Sequence, residues 1–448
     1  TATASCCISL QVSGCRARSR GTCSTISRKG AMKITKTTLQ YSREPIHPLG
    51  FKGGHLDELW QITAAVEADG TLCTSGYGVQ SVLWSDSAVF HAFGPERSNA
   101  LMFETTQYAL RRLEGETLVQ PEHMLRGIFD DTLAYAKRIT GHTELRATFV
   151  LNALTPVDWA LWKLWHRKQG CAFRELVRPI TDFLVPRQRE LGNIPLISYA
   201  TGKKEIEALA DEGRSLFKIK IGCDPDGRND ADEMLQWDIA RLAQIHAILS
   251  RYATEDTACG HPAYYLDANG RYDTPDRLLR FLDAADRIGA LERIVLLEEP
   301  FPENALQCVD RIPVPVAGDE SAHSEVDAVR LIEEYGYSAI ALKPIAKTLS
   351  VSLAVLEQAR RRGVQCFCAD LTVNPKMVEM NKLFASHLPM IMGMNIGVFE
   401  SNGSQNYLNW VQMQAQSGLT EKPFAHMQRG RFILDEAYYR CEGNVWED

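Results

Sequence analysis

From about residue 190 onward the chain repeats one pattern eight times: a short β-rich run, followed in most repeats by a stretch with the apolar spacing of an amphipathic helix. The strand runs fall at 194–199, 216–221, 263–266, 294–297, 314–317, 338–342, 364–368 and 391–396. Helical spacing lies between them, as at 230–251, 274–288, 325–335 and 350–362. Such alternation specifies parallel βα units. Eight of them favour a closed α/β TIM-like barrel over an open sheet, because closure leaves no strand edge unpaired.

Ahead of the barrel, residues 32–42 alternate as a strand, and QITAAVEADGTLCTSGYG reads as two strands meeting at Asp69 and Gly70, a hairpin signal. Glycine-bearing segments at 48–54 and 76–78 interrupt this meander, and helical spacing over 99–113, 124–140 and 153–170 makes an α+β unit. Residues 1–31 differ from the rest. They carry Arg16, Arg18, Arg20, Arg28 and Lys29, no acidic residue, and Cys6, Cys7, Cys15 and Cys23 without metal spacing. They are expected to be an unstructured extension upstream of a start at Met32, with an Arg- and Ser-rich transit segment as the alternative.

Composition excludes several functions. The net charge is −7 and no long basic stripe occurs in the folded part, so no nucleic-acid partner is expected. No window approaches the roughly 18 uninterrupted apolar residues of a membrane span. The eight cysteines beyond residue 31 are scattered without C-x-x-C pairs, which fits free thiols in a cytoplasmic protein. The expected partner is a small molecule.

Barrel chemistry sits where strands run into the following loops. Those positions hold Lys218 and Lys220 on the second strand, Asp267 after the third, Glu298 and Glu299 after the fourth, and Asp319 and Glu320 after the fifth. Lys343 follows the sixth, Asp370 the seventh and Glu400 the eighth. Charges converging in one barrel mouth need a metal or ligand to organise them. Asp267, Glu298 and Asp319 on successive strands form an oxygen-only ligand set suited to a hard cation, Mg²⁺. Glu299 and Glu320 face the alternate direction by strand period, which makes them supporting partners of the lysines. Lys220 and Lys343 stand on opposite sides of the barrel as two bases facing one carbon, with Lys218 beside Lys220 to disfavour its charged form.

The motifs FKIKIG (Lys218, Lys220), YYLDANGRY (Asp267), LLEEPF (Glu298), VAGDES (Asp319) and ALKPIAK (Lys343), in this order, resemble the enolase superfamily. The resemblance is to the muconate-lactonizing-enzyme-like subgroup of the mandelate racemase/muconate lactonizing enzyme family. It implies an N-terminal α+β capping domain over 32–160, completed by about 402–448, closing on a (β/α)7β barrel over 161–401. It also implies that the acids bind Mg²⁺, which holds the substrate carboxylate while a lysine removes the α-proton to give a metal-stabilised enolate. Lys220 and Lys343 then become the acid/base pair, Lys218 the residue that tunes Lys220, and Glu400 the acid that hydrogen-bonds the substrate carboxylate.

Racemisation or epimerisation is the first expectation, with cycloisomerisation or dehydration of an acid sugar through the same intermediate as alternatives and a purely binding barrel less favoured. A homo-oligomer is implied by the resemblance alone. Segments 48–54 and 76–84 occupy the family's specificity-loop positions, with His47, His55, Tyr77 and Trp84 as lid contacts. The family's dipeptide epimerases carry an Asp-x-Asp motif at the eighth strand that grips a substrate amine. Here the segment reads NIGVFESNG, which disfavours a dipeptide, and Asp370 has no role from the family pattern.

Overall fold

The computed structural model describes residues 32–447 apart from 52 and 186. The extension expected at 1–31 lies outside the described residues. Among the described residues no helix is long and apolar enough to cross a membrane.

The chain begins with an antiparallel sheet in the order Leu72–Gln80, Gly54–Ala68, Met32–Phe51, Thr117–Leu118. The hairpin turns at Asp69 (φ 52°) and Gly70 (φ 70°), as the Asp-Gly pair predicts. Helices Ser87–Leu113, Pro121–Thr140 and Ala147–Gln169 follow. The first kinks at Gly94, where φ is 72° just before Pro95. Helix Ala147–Gln169 runs through residue 160, where the sequence pattern places the change of domain.

Of the two glycine segments, 48–54 contains the hairpin turn between the strands Met32–Phe51 and Gly54–Ala68, with Gly53 at φ 72°, whereas 76–78 is not an interruption. Residues 48–51 belong to the strand Met32–Phe51, and Gly76 and Gly78 lie inside the strand Leu72–Gln80. A Cβ at Gly76 would overlap the Pro156 carbonyl oxygen and the Ala160 nitrogen, and one at Gly78 would sit 2.7 Å from the Pro156 ring. These glycines therefore serve the close approach of helix Ala147–Gln169 to the sheet rather than a turn.

The second sheet is the barrel. Its first strand is split at Pro195, which has no N–H to give to a ladder. Glu190–Ile194 pairs in parallel with the eighth strand Gly397–Glu400, and Leu196–Ile197 pairs in parallel with the second strand Leu216–Lys220. That split strand closes the circle. Between these lie Ala263–Asp267, Ile294–Glu298, Val316–Gly318, Ala339–Leu342 and Gln365–Cys368, each parallel to its neighbours. An extra strand, Arg431–Ile433, lies antiparallel on Glu190–Ile194 and makes the sheet mixed. The fold is α/β, an antiparallel sheet with helices followed by a closed barrel of parallel strands.

Two details depart from the sequence pattern. The eighth strand is Gly397–Glu400 and not 391–396, because the chain turns at Gly393 (φ 86°) and leaves Met390 and Met392 exposed. Between the fourth and fifth strands the connection holds only the 3₁₀ turn Glu303–Ala305.

Period two decides what faces the barrel axis. Leu216, Ala263, Tyr265, Leu296, Ala317, Ala339, Ala341, Phe367 and Val398 pack into one apolar cluster. Tyr265 and Phe367, on the third and seventh strands, meet edge-to-face with centroids 5.2 Å apart and plug the interior. The C-terminal segment touches both parts of the fold: Tyr407 bridges Ile46 of the first hairpin, while Arg431–Ile433 extends the barrel.

The glycine packing yields a prediction. Gly76→Ala lowers stability by about 2 kcal/mol through overpacking. Gly127→Ala, exposed in helix Pro121–Thr140 with nothing near its Cβ position, raises it by about 0.5–1 kcal/mol. Urea unfolding of the two variants measures both.

Candidate functional site

Continuing each inward row by two residues reaches the charged groups. Leu216 leads to Lys218 and Lys220, Tyr265 to Asp267, Leu296 to Glu298, Ala317 to Asp319, Ala341 to Lys343 and Val398 to Glu400. Strand register sets Lys220 opposite Asp267, and Asp267 opposite Glu298. The apolar plug is thus the floor of a charged cavity. All of these groups are buried except Lys220, which is partly exposed.

The lysines and acids pair closely. Lys218 Nζ stands 2.9 Å from Asp267 Oδ2, 3.1 Å from Glu298 Oε2 and 3.1 Å from Glu400 Oε2, with the Tyr265 ring centroid 4.7 Å away. Burial opposes its charge, but Asp267, Glu298 and Glu400 hold the ammonium well above its ordinary pKa. Lys220 Nζ is 2.6 Å from Asp267 Oδ2 and also donates to Asn269 Oδ1. Although burial pushes Asp267 up, Lys218 and Lys220 bring it below the usual carboxylate range.

Across the barrel, Lys343 donates to Asp319 Oδ2 and lies 4.7 Å from the centroid of Trp84. Burial works against its charge too, and Asp319 and Glu298 more than offset this. Both Lys218 and Lys343 are therefore held as ammonium by the acids around them.

A metal would find oxygen donors. Glu298, Asp319 and Glu320 each offer a carboxylate oxygen within 4.8 Å of the others, and all three residues are buried. Lys218 is the ammonium nearest Glu298, at 3.1 Å from Oε2, and no well-directed donor reaches either Glu298 oxygen among the described residues. Burial lifts this carboxyl to about 8, with Lys218 countering and Asp319 adding to the rise. Such a hard, oxygen-only donor set fits a divalent cation such as Mg²⁺.

The acids expected to stand behind the site do so differently from one another. Glu320 belongs to the tight cluster because the fifth strand ends at Gly318 and the backbone turns, so strand alternation no longer applies. It also accepts from Asn269 Nδ2 at 3.0 Å. Glu299, at φ 40°, contacts no lysine among the described residues: it accepts from the Asp319 backbone N–H at 2.8 Å and from the Ser321 hydroxyl, and so fixes the turn that carries Asp319. Asp267 joins the cluster through Lys218, which it shares with Glu298.

Sequence reasoning passed over two residues. Lys347, the second lysine of ALKPIAK, is buried, donates to the Asp319 carbonyl at 2.6 Å and stands 3.1 Å from its Oδ1. Asn269, in the DAN of the third strand end, links Lys220 to Glu320. Both sit inside quoted motifs, so the signal was a polar side chain one turn or two residues beyond a site residue.

The cavity measures about 80 Å³ and is lined by Lys218, Lys220, Lys343, Asp267, Asp370 and Glu400. Apolar residues of the first hairpin, Ile46, Leu49, Leu56 and Leu59, form the other wall with Trp84. His47 and His55 are exposed, and Tyr77 packs on Trp159 away from this cavity, so Trp84 alone of the four expected lid contacts reaches it. Asp370 is buried and its carboxyl is pushed up to about 7 by burial and then by Glu400. Glu400 accepts from Lys218 and the Asp370 N–H at Oε2 and from Asn402 Nδ2 at Oε1.

Residues 203–396 match the family model described as enolase C-terminal domain-like. The chain is 27% identical over 256 residues to a hydrophobic dipeptide epimerase of Citrifermentans bemidjiense, covering 55% of this chain and 63% of that protein. It is 26% identical over 236 residues to an L-Ala-D/L-Glu epimerase of Thermotoga maritima, covering 52% and 56%. The matched region thus spans less than two thirds of either curated relative. A mandelate racemase/muconate lactonizing protein from Herpetosiphon aurantiacus has the same fold, with a TM-score of 0.61 and 17% identity over 90% of this chain and 96% of that one. So does a dipeptide epimerase from Enterococcus faecalis, solved with Mg and L-Leu-L-Tyr, with a TM-score of 0.60 and 15% identity over 84% and 92%.

Lys347 gives this site a stability prediction. Lys347→Met leaves Asp319 with a buried oxygen deprived of its cation and costs about 3–5 kcal/mol, read as a lower urea midpoint at neutral pH.

Proposed function

Because the chain belongs to the mandelate racemase/muconate lactonizing enzyme family of the enolase superfamily, we propose that it is a Mg²⁺-dependent racemase or epimerase acting next to a carboxylate. The observation that carries this reading is the placement of Lys220 and Lys343. They follow the second and sixth of eight barrel strands, on opposite sides, and line one cavity. A carbon held between them can lose a proton to one lysine and regain one from the other, which inverts its configuration. Both curated relatives are named epimerases, which favours this outcome over ring closure or loss of water.

Asp267, Glu298 and Asp319 would hold the Mg²⁺, with Glu320 beside them. When bound, the cation supplies positive charge where a substrate carboxylate accumulates negative charge. The chain's own residues do the rest. Lys343, kept protonated by Asp319, serves as the proton donor in one direction, and Lys220 Nζ accepts the substrate proton. Lys218 is fixed by three carboxylates and places positive charge beside Lys220. Glu400 lines the cavity as a substrate-binding residue while steadying Lys218. The Tyr265–Phe367 plug below and the hairpin leucines above exclude water, which strengthens each of these interactions. The apolar wall suits a substrate with an apolar group.

Incubation with dipeptides, N-acyl amino acids and acid sugars in D₂O tests the proposal, with mass spectrometry following the α-position. The expected result is Mg²⁺-dependent gain of one deuteron without a new compound. Lys220→Met and Lys343→Met each lower turnover by roughly 10²–10⁴-fold. Exchange that survives both substitutions, or loss of water in place of exchange, contradicts the reading.

A further inference from the structure

Helix Ala231–Leu249, which returns from the second barrel strand, buries a stripe that includes Leu235, Leu242 and Ile245, and Asp238 stands in the middle of it. Asp238 is 0% exposed, and a carboxylate so placed is tolerated only when its oxygens are served. Its Oδ2 accepts from the Gly222 N–H at 2.7 Å and from the Tyr272 hydroxyl at 2.9 Å, and its Oδ1 accepts from the Cys223 N–H at 3.3 Å.

These donors belong to two strand ends. Gly222 and Cys223 come just after Lys220, and Tyr272 follows the turn that carries Asp267 and Asn269. Across the same pair of strands Lys220 reaches Asp267 Oδ2 and Asn269 Oδ1. The residue between Lys220 and Gly222 is fixed as well: Ile221 donates its N–H to the Asp267 carbonyl at 2.9 Å and accepts from the Tyr199 hydroxyl at 3.0 Å. Gly222 suits the turn that follows, since its φ is 83° and a Cβ there would lie 2.5 Å from Arg271 Cβ.

The two lysines of the cavity differ in what locates them. Lys343 is buried, lies against Trp84 and is held by Asp319. Lys220 is partly exposed and is the last residue of its strand, so its ammonium goes where the strand end goes. Proton transfer punishes displacement, a shift of about 1 Å costing on the order of a hundredfold in rate.

We propose that Asp238 is a positioning residue for Lys220, clamping the end of the second strand to the end of the third without touching substrate. The inference rests on the reading of Lys220 and Lys343 as bases on opposite faces of one carbon, and it concerns one face only.

The test follows α-deuterium exchange of L-Ala-L-Leu and L-Ala-D-Leu in D₂O with the full chain and Mg²⁺. The wild type is expected to exchange both diastereomers. A chain that lacks one base still exchanges the diastereomer whose proton points at the other lysine, which returns a deuteron to the face it emptied. Lys220→Met therefore identifies the diastereomer that Lys220 serves. Asp238→Asn is expected to slow that same diastereomer by about 10–100-fold and to leave the other within about threefold. General loss of structure would slow both.

Two readouts need no substrate. Hydrogen-exchange mass spectrometry of the wild type, which requires no variant to fold, is expected to show the Gly222 and Cys223 amides protected although they lie outside any strand. Competitive acetylation is expected to label Lys220 about fivefold faster in Asp238→Asn, the equivalent of one lost hydrogen bond, with Lys343 unchanged.

Equal slowing of both diastereomers, slowing of neither, or unprotected Gly222 and Cys223 amides in the wild type overturns the positioning role. Exchange of neither diastereomer by the wild type counts against the proton-abstraction reading, and acetylation then decides on Asp238 alone: faster labelling of Lys220 in the folded variant keeps the clamp, and unchanged labelling removes it.

Discussion

Burial of opposite charges at the mouth of one barrel is the constraint on which this structure depends. Asp267, Asp370 and Glu400 line the cavity with Lys218, Lys220 and Lys343, and the buried acids Glu298, Asp319 and Glu320 cluster beside them, with Lys347 on Asp319. The acids outnumber the ammonium groups, and water is not there to absorb the difference. The imbalance has a visible signature: burial lifts Glu298 to about 8 and Asp370 to about 7, while the acids in direct contact with two lysines, Asp267 and Asp319, are drawn below their ordinary range despite burial. A cation near Glu298 and a cation near Asp370 would relieve the two surpluses separately. A divalent metal would meet the first.

The fold makes this arrangement tolerable. Inward-facing residues below the charges are apolar, so the field of the site is confined between the Tyr265–Phe367 plug and the hairpin that supplies Ile46, Leu49, Leu56 and Leu59. The hairpin is itself tied down from the far end of the chain, by the Ile46–Tyr407 bridge and the hydrogen bond from Gln61 to the Tyr407 hydroxyl. Closure of the cavity and closure of the barrel are thus linked through the C-terminal segment.

Most of the site is legible in the amino-acid sequence because strand alternation is a rigid rule while strands last. Alternation puts Lys218, Lys220, Asp267, Glu298 and Asp319 on one inner face, and the structure brings them within a few bonds of one another. Where the strands end, the rule ends: Glu320 turns into the cluster after Gly318, and Glu299 turns to the Asp319 backbone at a positive φ. Glycines are ambiguous for a different reason. Gly393 marks a turn that displaces the eighth strand, whereas Gly76 and Gly78 accommodate a helix that is distant in sequence. Local pattern cannot distinguish a glycine that bends the chain from one that makes room. Asp370 has no role readable from its own strand, since its carboxylate is fixed by the backbone N–H of Asn402 after the neighbouring one.

If the buried acids are assembled to hold one hard divalent cation, metal binding reports it directly. Mn²⁺, which shares the oxygen preference of Mg²⁺ and is visible by electron paramagnetic resonance, tests it directly. One Mn²⁺ is expected to bind per chain, to be displaced by Mg²⁺, and to be lost in Glu298→Gln. Absence of Mn²⁺ binding at millimolar metal, or binding that Glu298→Gln leaves unchanged, would contradict it.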